Sequence, residues 1–510
     1  GSGRAGAAMW PSPAAGAGLV PRALPNLGLW CWVNSLLQAL ASVADPRWWE
    51  IIDAEPLASD LLAVLAAALR WINRRAEGPS GTVRSLLCAL QQCLVLECGL
   101  SPSSEQDVHE ALVKVLEAVH AGLLQRELQA ARKGLRASWA PLQPWPPGSA
   151  LAKARAQSAR QAFLELWQGT LEETRLCSSC GLLKVDRSQA TQAFRCLSLG
   201  VPPAHGSSSD MSATLWKSYG GHCCEHLEGV LCAVCSSAAS LRRFRYCAAR
   251  GSAGALRACQ RFRQFAARGE LTETEHLHAL CPPDAPPMEF RRSSQQRTFR
   301  IAQSPRVLVL HLRRLTFGPW GAMKSDAFVR YPPVLQVGVG PVGGALQEGP
   351  GWATVRDIAE VCKEHVLEEP LTDDAIKKNT EGLRPVQATA TYALRAVVSH
   401  FGQASSGHFL AHRSWAGAPS PLPGGVQVAT ATGLGLSSAA AASPLLTSLA
   451  FLRPHAQLVL DSSPWSGNFR GNWQSCWVLA NDDCVQRIQP RDALCLPGAY
   501  LLVYERCPLV

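Results

Sequence analysis

"NLGLWCWVNSLLQAL", residues 26–40, sets one cysteine between two tryptophans, directly ahead of an apolar run. From Cys31 onward, apolar side chains fall at Val33, Leu36, Leu37 and Leu40, the spacing of one helical face. The stretch therefore predicts a helix with a thiol in its first turn, where the positive end of the macrodipole favours a thiolate. A packed structural thiol beside aromatics is the ordinary alternative. A nucleophile needs more than its own position: it needs a base, an orienter for that base and donors for an oxyanion.

Outward from this helix, residues 60–72 and 84–95 have helical patterns, and Val108, Ala111, Leu112, Val115, Leu116 and Val119 form a clean apolar stripe over 108–119. Residues 1–22, rich in Ala, Gly and Pro, are expected to be a loose arm. The region from 23 to about 135 is thus expected to be a helical lobe. From about 171 short apolar stretches take over, and 306–315, 392–400, 408–413 and 499–506 read as strands. Segments 135–160, 338–390 and 416–448 read as insertions or loops, the last rich in Gly, Ala, Ser and Pro. The expected fold class is α+β, a helical lobe followed by a strand-rich one.

The bulk numbers fit such a protein. A chain of 510 residues with 47% apolar and 17% charged residues has the means to fold around more than one core. Its net charge of +10 is spread along the chain, and Arg-rich stretches such as 241–250 read as solvated faces before they read as nucleic-acid grooves. Nineteen cysteines, odd in number and irregularly spaced, suit a reducing compartment better than a disulfide scaffold. The longest pure apolar run, 61–69, is too short for a bilayer span. The chain starts Gly-Ser-Gly rather than with Met, so a natural N-terminus and any targeting segment are expected to lie before it.

Two CxxC pairs, Cys177 with Cys180 and Cys232 with Cys235, are the strongest local signal. Such knuckles converge on one tetrahedral zinc, each thiolate about 2.3 Å from the metal. The 51 residues between the pairs exceed a usual zinc-ribbon spacing, so a small β-finger is expected to fold out there. The nearby "HCCEH" (222–226) is a less regular competitor, and Cys88, Cys93 and Cys98 read as core packing. The missing base is supplied by "SSGHFLAHRSW" (405–415), which places His408 after a Ser-Ser-Gly turn at the head of a strand. Downstream, Asn481, Asp482 and Asp483 end another strand, and any of them could orient an imidazole. Cys, then His, then Asn or Asp is the order of papain-type peptidases.

Taken together, these segments resemble the ubiquitin-specific proteases. "LPNLGLWCWVNSLLQAL" resembles their cysteine box, "SEQDVHEALVKVL" (104–116) their Q-Q-D-A-x-E-F segment, and "YALRAVVSHFGQASSGHFLAHR" (392–413) their histidine box. "SPRVLVLHLRRLTF", "NDDCV" and "AYLLVYER" match further motifs, in family order from about residue 24 to 506. "EQDVHE", "GHF" and "YLLVYER" resemble the branch found at the mitochondrial outer membrane, whose N-terminal membrane span has no counterpart in this chain.

The resemblance implies a papain-like cysteine peptidase with a helical thumb, a β-rich palm (about 301–506, with loop insertions 338–390 and 416–470) and zinc-bearing fingers (about 171–300). It implies a deubiquitinase acting on ubiquitin and ubiquitinated proteins. Cys31 would be the nucleophile, His408 its base, Asn481 the orienter and Asn26 the oxyanion donor. Asp107 would receive the basic tail of ubiquitin, Gly407 would let that tail pass close to the backbone, and the four paired cysteines would hold a structural Zn2+. No catalytic cofactor is expected. A nucleic-acid partner is not expected either, since a nucleic-acid binder would leave the cysteine and histidine boxes unexplained. The implied location faces the cytosol, at the mitochondrial outer membrane if a span precedes the chain. One departure stands out: the family's Asn-Thr before the cysteine is Leu29-Trp30 here, and a Trp that narrowed the tail channel would leave a catalytically weakened ubiquitin binder.

Overall fold

The computed structural model describes residues 21–54, 59–74, 80–101, 106–138, 147–180, 183–186, 192–202, 209–220, 225–268, 281–318, 321–339, 388–403, 406–415, 428–430, 476–494 and 496–507. Six helices come first: α1 (Cys31–Ala41), α2 (Pro46–Asp53), α3 (Asp60–Ile72), α4 (Ser80–Cys98), α5 (Val108–Ser138) and α6 (Pro147–Trp167). Their starts follow local chemistry. Asp45 accepts from the Arg47 amide, with Pro46 in the first turn of α2, and Ser59 accepts from the Leu62 amide at the head of α3. The stripe at 108–119 is only the first part of α5. The segment 135–160, expected to be a loop, is mostly the end of α5 and the body of α6. Its Ala-rich, proline-poor run from 149 to 163 favours helix over turn.

The rest is strand-rich. In order come β1 (Gly169–Cys177), β2 (Leu183–Asp186), β3 (Ala193–Phe194), β4 (Leu197–Gly200), β5 (Ser209–Asp210), α7 (Met211–Tyr219), β6 (Glu225–Leu231), α8 (Ala233–Ala249), α9 (Ala253–Arg268) and β7 (Arg292–Gln303). Then follow β8 (Val307–Arg313), β9 (Leu315–Gly318), β10 (Gly321–Lys324), β11 (Val329–Arg330), β12 (Val334–Val339), β13 (Ala388–Gly402), β14 (Gly407–Trp415), β15 (Val428–Thr430), β16 (Cys476–Asn481), β17 (Cys484–Ile488) and β18 (Ala499–Arg506). Most of the insertions expected at 338–390 and 416–470, together with "HCC" at 222–224, lie outside the described residues.

The central sheet runs β15-β17-β16-β14-β13-β18-β8-β4, with β12 also pairing with β13. Its middle strands are buried on both faces, which explains their near-continuous apolar sequence. Along β8, Val307 and Val309 face the helical core with Val398, Leu501 and Val503. Leu308, Leu310 and Leu312 face a second core with Val397, Leu502 and Trp477. The alternation follows from the two-residue period of a strand. Helix α1 is buried along its whole length, wedged between the other helices and strands β13 and β14.

A smaller sheet, β2-β1-β7-β6 with β3 against β1, carries both CxxC pairs. Strands β1 and β6 both run antiparallel to β7, so Cys177 at the end of β1 and Cys232 just past β6 arrive at the same edge. The chain between the knuckles is not a β-finger alone. It returns to the central sheet as β4, which pairs in parallel with β8, before β6 begins. Beyond the second knuckle, a region expected to be strands holds a helical hairpin, α8 and α9, closed on a core of its own around Phe244, Ala255, Ala258, Cys259 and Phe262. Of the thiols read as core packing, Cys93 and Cys98 lean on the helical core, whereas Cys88 is exposed. Among the described residues no helix is long and apolar enough to cross a membrane.

Candidate active site

Cys31 is the first residue of α1 and is buried. The loop before it is tied down by Asn26, whose Oδ1 accepts from the amides of Gly28 (3.1 Å) and Trp30 (3.2 Å). Gly28 has φ +117°, a conformation that glycine adopts without steric cost. Leu29, 47% exposed, projects from this turn, while Trp30 is 1% exposed and packs into the helical core. The tryptophan thus neither faces solvent nor stands free beside the thiol. Its bulk fills the lobe that anchors α1.

His408 is the second residue of β14. Strand β14 pairs with β16, whose last residue is Asn481. The His408 Nε2 and Asn481 Oδ1 atoms are 2.8 Å apart, and Asp482 Oδ2 is 3.7 Å from the same nitrogen. With Nε2 held by the amide oxygen, the other ring nitrogen is left for the thiol. The side-chain hydrogen bond with Cys31 is the largest influence on this imidazole, and burial opposes it. With further support from Asn481 and the Asp482 charge, His408 is pushed up from 6.5 to about 9.

Asp482 has a larger part than its place in the sequence suggests. It opens the two-residue turn between β16 and β17 with φ +46°, a left-handed conformation that Asp tolerates better than most residues. Its carboxylate accepts from Asn26 Nδ2 and from Asn34 Nδ2, both at 2.8 Å, and its carbonyl accepts from the Leu24 amide at 3.0 Å. Asn34 is buried, and Asn26 is exposed beside the thiol. One of Asn26's two amide N–H groups is engaged by Asp482, and the other has no protein partner among the described residues.

Asp107 and Gly407 sit at the margin of this group. Asp107 caps α5 through the His109 amide at 2.7 Å, and the Tyr500 hydroxyl donates to its second oxygen. Burial drives the neighbouring His400 down to about 4, with the Lys324 charge acting in the same direction. A Cβ at Gly407 would stand 2.1 Å from His400 Nε2 and 2.5 Å from the Phe401 carbonyl oxygen. Packing against β13 therefore requires glycine there in any case.

Arg413 is a site-supporting residue that motif reading passes over. Its buried guanidinium reaches from β14 to the last turn of α1, donating to Gln38 Oε1 (3.1 Å), Ala41 O (3.1 Å) and Asn73 Oδ1 (2.7 Å). Burial pulls it down to about 9, so it remains a cation at neutral pH, placed at the negative end of the helix whose other end carries Cys31. The sequence signal was an arginine inside an otherwise buried strand.

The four paired cysteines come together as a second site. Cys177 Sγ lies 3.8 Å from Cys235 Sγ, and Cys180 Sγ lies 3.6 Å from Cys232 Sγ. All four sulfurs lie within 4.8 Å of one another. A tetrahedron with metal–sulfur bonds of about 2.3 Å has edges of roughly 3.8 Å, so this cluster has the size to hold a metal ion.

A mixed α+β fold that joins a helical lobe bearing a thiol to a sheet bearing a histidine defines a papain-like cysteine peptidase class. Residues 22–504 match the family described as ubiquitin carboxyl-terminal hydrolase, and the chain belongs to it, as a cysteine-type ubiquitin hydrolase. It is 24% identical over 429 residues to ubiquitin carboxyl-terminal hydrolase 27 of Arabidopsis thaliana, covering 78% of this chain and 76% of that protein. Its fold is similar to the Ubp8-containing SAGA DUB module bound to ubiquitin aldehyde, at TM-score 0.50 and 16% identity, over 98% of this chain and 72% of that one. A yeast SAGA DUB module structure aligns at TM-score 0.47 and 15% identity, with the same coverage.

Proposed function

We propose that this protein cleaves isopeptide bonds after the C-terminal glycine of ubiquitin through a Cys31–His408–Asn481 triad. The observation that carries this reading is the 2.8 Å contact of His408 Nε2 with Asn481, made while the same imidazole is hydrogen-bonded to Cys31. The Cys31 thiolate attacks the isopeptide carbonyl. His408, protonated by transfer from the thiol, gives that proton to the leaving lysine amine. A thioester to ubiquitin remains. His408 then takes a proton from water, and the hydroxide so formed releases the ubiquitin carboxylate and restores the thiol. Asn481 fixes the tautomer, and the free N–H of Asn26 faces the developing oxyanion, a contribution of about 3 kcal/mol in comparable sites.

Ubiquitin is the partner this reading requires, bound across thumb (about 23–135), palm (about 301–506) and the β-sheet of the fingers (β1, β2, β6 and β7, within about 171–300), with the α8–α9 hairpin outside that contact and β4 returning from the finger range to the palm. Asp107 and Gly407 line the approach of its tail. Cys177, Cys180, Cys232 and Cys235 would hold a structural zinc that fixes the finger edge. Motif wording alone supports the finer assignment to the mitochondrial outer-membrane branch and its location. The weakened-binder alternative rested on the pair Leu29-Trp30, and the burial of the Trp30 side chain in the helical core speaks against it. The test is release of a fluorophore from the C-terminus of ubiquitin. Wild-type protein turns over and Cys31→Ala does not; equal rates in the two would overturn the assignment of the nucleophile.

A further inference from the structure

The α8–α9 hairpin belongs to neither the thiol site nor the cysteine cluster, although it starts beside the second knuckle. Residues 233–268 contain eight arginines and no aspartate or glutamate, in a chain that carries 49 basic and 39 acidic residues overall. This short segment therefore accounts for +8 of the chain's net +10, so the charge expected to be spread along the chain is concentrated here. A surface that merely needed solvation would mix both signs.

The arginines are displayed rather than consumed. Arg242, Arg243, Arg261 and Arg263 are exposed and make no ion pair among the described residues, whereas Arg257 pairs with Asp284. Tyr246, 57% exposed, carries the Arg250 guanidinium 4.3 Å from its ring centroid, and Leu256 is 54% exposed. Arginine and tyrosine together are the residue types that protein interfaces enrich.

Three polyanions suit such a face, and the structure favours one. An interfacial membrane helix inserts its apolar side, but here the apolar sides of both helices are closed on each other around Phe244 and Phe262. A nucleic-acid groove uses stacked aromatics between cations, and the hairpin exposes one aromatic among its described residues. An acidic protein surface needs only displayed guanidinium forks, each able to hold a carboxylate. One exposed helix side about 25 Å long and about 10 Å wide offers roughly 250 Å², well below the ~800 Å² per partner of a stable interface. The face is therefore suited to add to a second contact rather than to bind alone.

We infer that the α8–α9 hairpin is an auxiliary substrate contact that selects ubiquitin conjugates whose protein body carries an acidic segment. This rests on the deubiquitinase reading, in which the hairpin flanks the lobe that holds ubiquitin. The mechanism is effective concentration: ubiquitin engaged at the site brings the acidic segment to the arginines.

The test compares two conjugates, ubiquitin isopeptide-linked to a Glu-rich peptide and to a Gly/Ser peptide of equal length. They are given to wild-type protein and to a variant with Arg242, Arg243, Arg261 and Arg263 each changed to Glu. Wild type is expected to show a KM about tenfold lower for the Glu-rich conjugate at low salt, a gap that closes in molar salt. The variant should lose or invert the preference while releasing fluorophore from ubiquitin at the wild-type rate. That second readout separates the two readings: fluorophore release absent in both proteins would refute the activity, not the contact. Equal KM for the two conjugates, or a preference that survives charge reversal, overturns the inference. Arginine-dependent binding to a single-stranded oligonucleotide or to phosphatidylserine vesicles, stronger than to the Glu-rich peptide, overturns it in favour of those partners.

Discussion

Replacing Cys31 by alanine is expected to change the titration of His408 as well as abolish turnover. The imidazole is pushed from 6.5 to about 9, chiefly by its hydrogen bond with Cys31, with burial opposing and Asn481 and Asp482 assisting. A raised histidine value means that the folded protein favours the imidazolium. The difference corresponds to about 2–3 kcal/mol once the remaining water contact of the 31%-exposed side chain is allowed for. In Cys31→Ala the largest favourable influence is gone while burial remains, so the value should fall well below that of the wild-type protein. Adding Asp482→Asn should lower it further. Imidazole nitrogen chemical shifts of histidine-labelled protein, followed across pH, read this directly. An unchanged titration of His408 in Cys31→Ala would refute the pairing of thiol and imidazole. The same logic governs activity: above about pH 9 the imidazolium proton is lost, and Asp482→Asn alone should move the alkaline limb of kcat/KM to lower pH.

Arg413→Met strands the acceptors Gln38 Oε1 and Asn73 Oδ1 in a buried site, which should cost about 2–4 kcal/mol of stability by urea denaturation. It should lower kcat more than it raises KM, because α1 and β14 lose their direct tie. Trp30→Thr, which restores the residue common in the family, should destabilise the protein by about 3–5 kcal/mol without raising kcat, while Leu29→Asn should stay within about 0.5 kcal/mol. Thermal melts with fluorophore release distinguish these outcomes. Purified protein should contain zinc by elemental analysis, and Cys232→Ser should weaken its retention at least about tenfold against a chelator.

Much of the candidate site was legible because its residues sit in short local patterns. Cys31 heads an apolar stripe, His408 follows a glycine turn, and Asn481 ends a strand. The double-sided strands at 307–313 and 499–506 were equally plain, since burial on both faces leaves a continuous apolar run. Features that depend on distant pairing were not legible. The residues alone offer three adjacent candidates at 481–483, of which the resemblance singles out Asn481; the fold sets Asn481 on the imidazole and adds the unforeseen contacts of Asp482 with Asn26 and Asn34. Arg413 looks like any basic residue at the end of the expected strand 408–413 until α1 is packed against it. The α8–α9 hairpin was missed because the paired cysteines marked the region as a β-finger and outweighed a helical stripe built mainly of small residues, Ala255, Ala258 and Cys259 with Phe262.

The most direct measurement is covalent labelling with ubiquitin carrying an electrophile at its C-terminus, followed by mass spectrometry of the modified peptide. Ubiquitin is expected on Cys31 alone in wild-type protein, more slowly in Asn481→Ala, and not at all in Cys31→Ala. Labelling at another cysteine, or undiminished labelling of Cys31→Ala, would contradict the account.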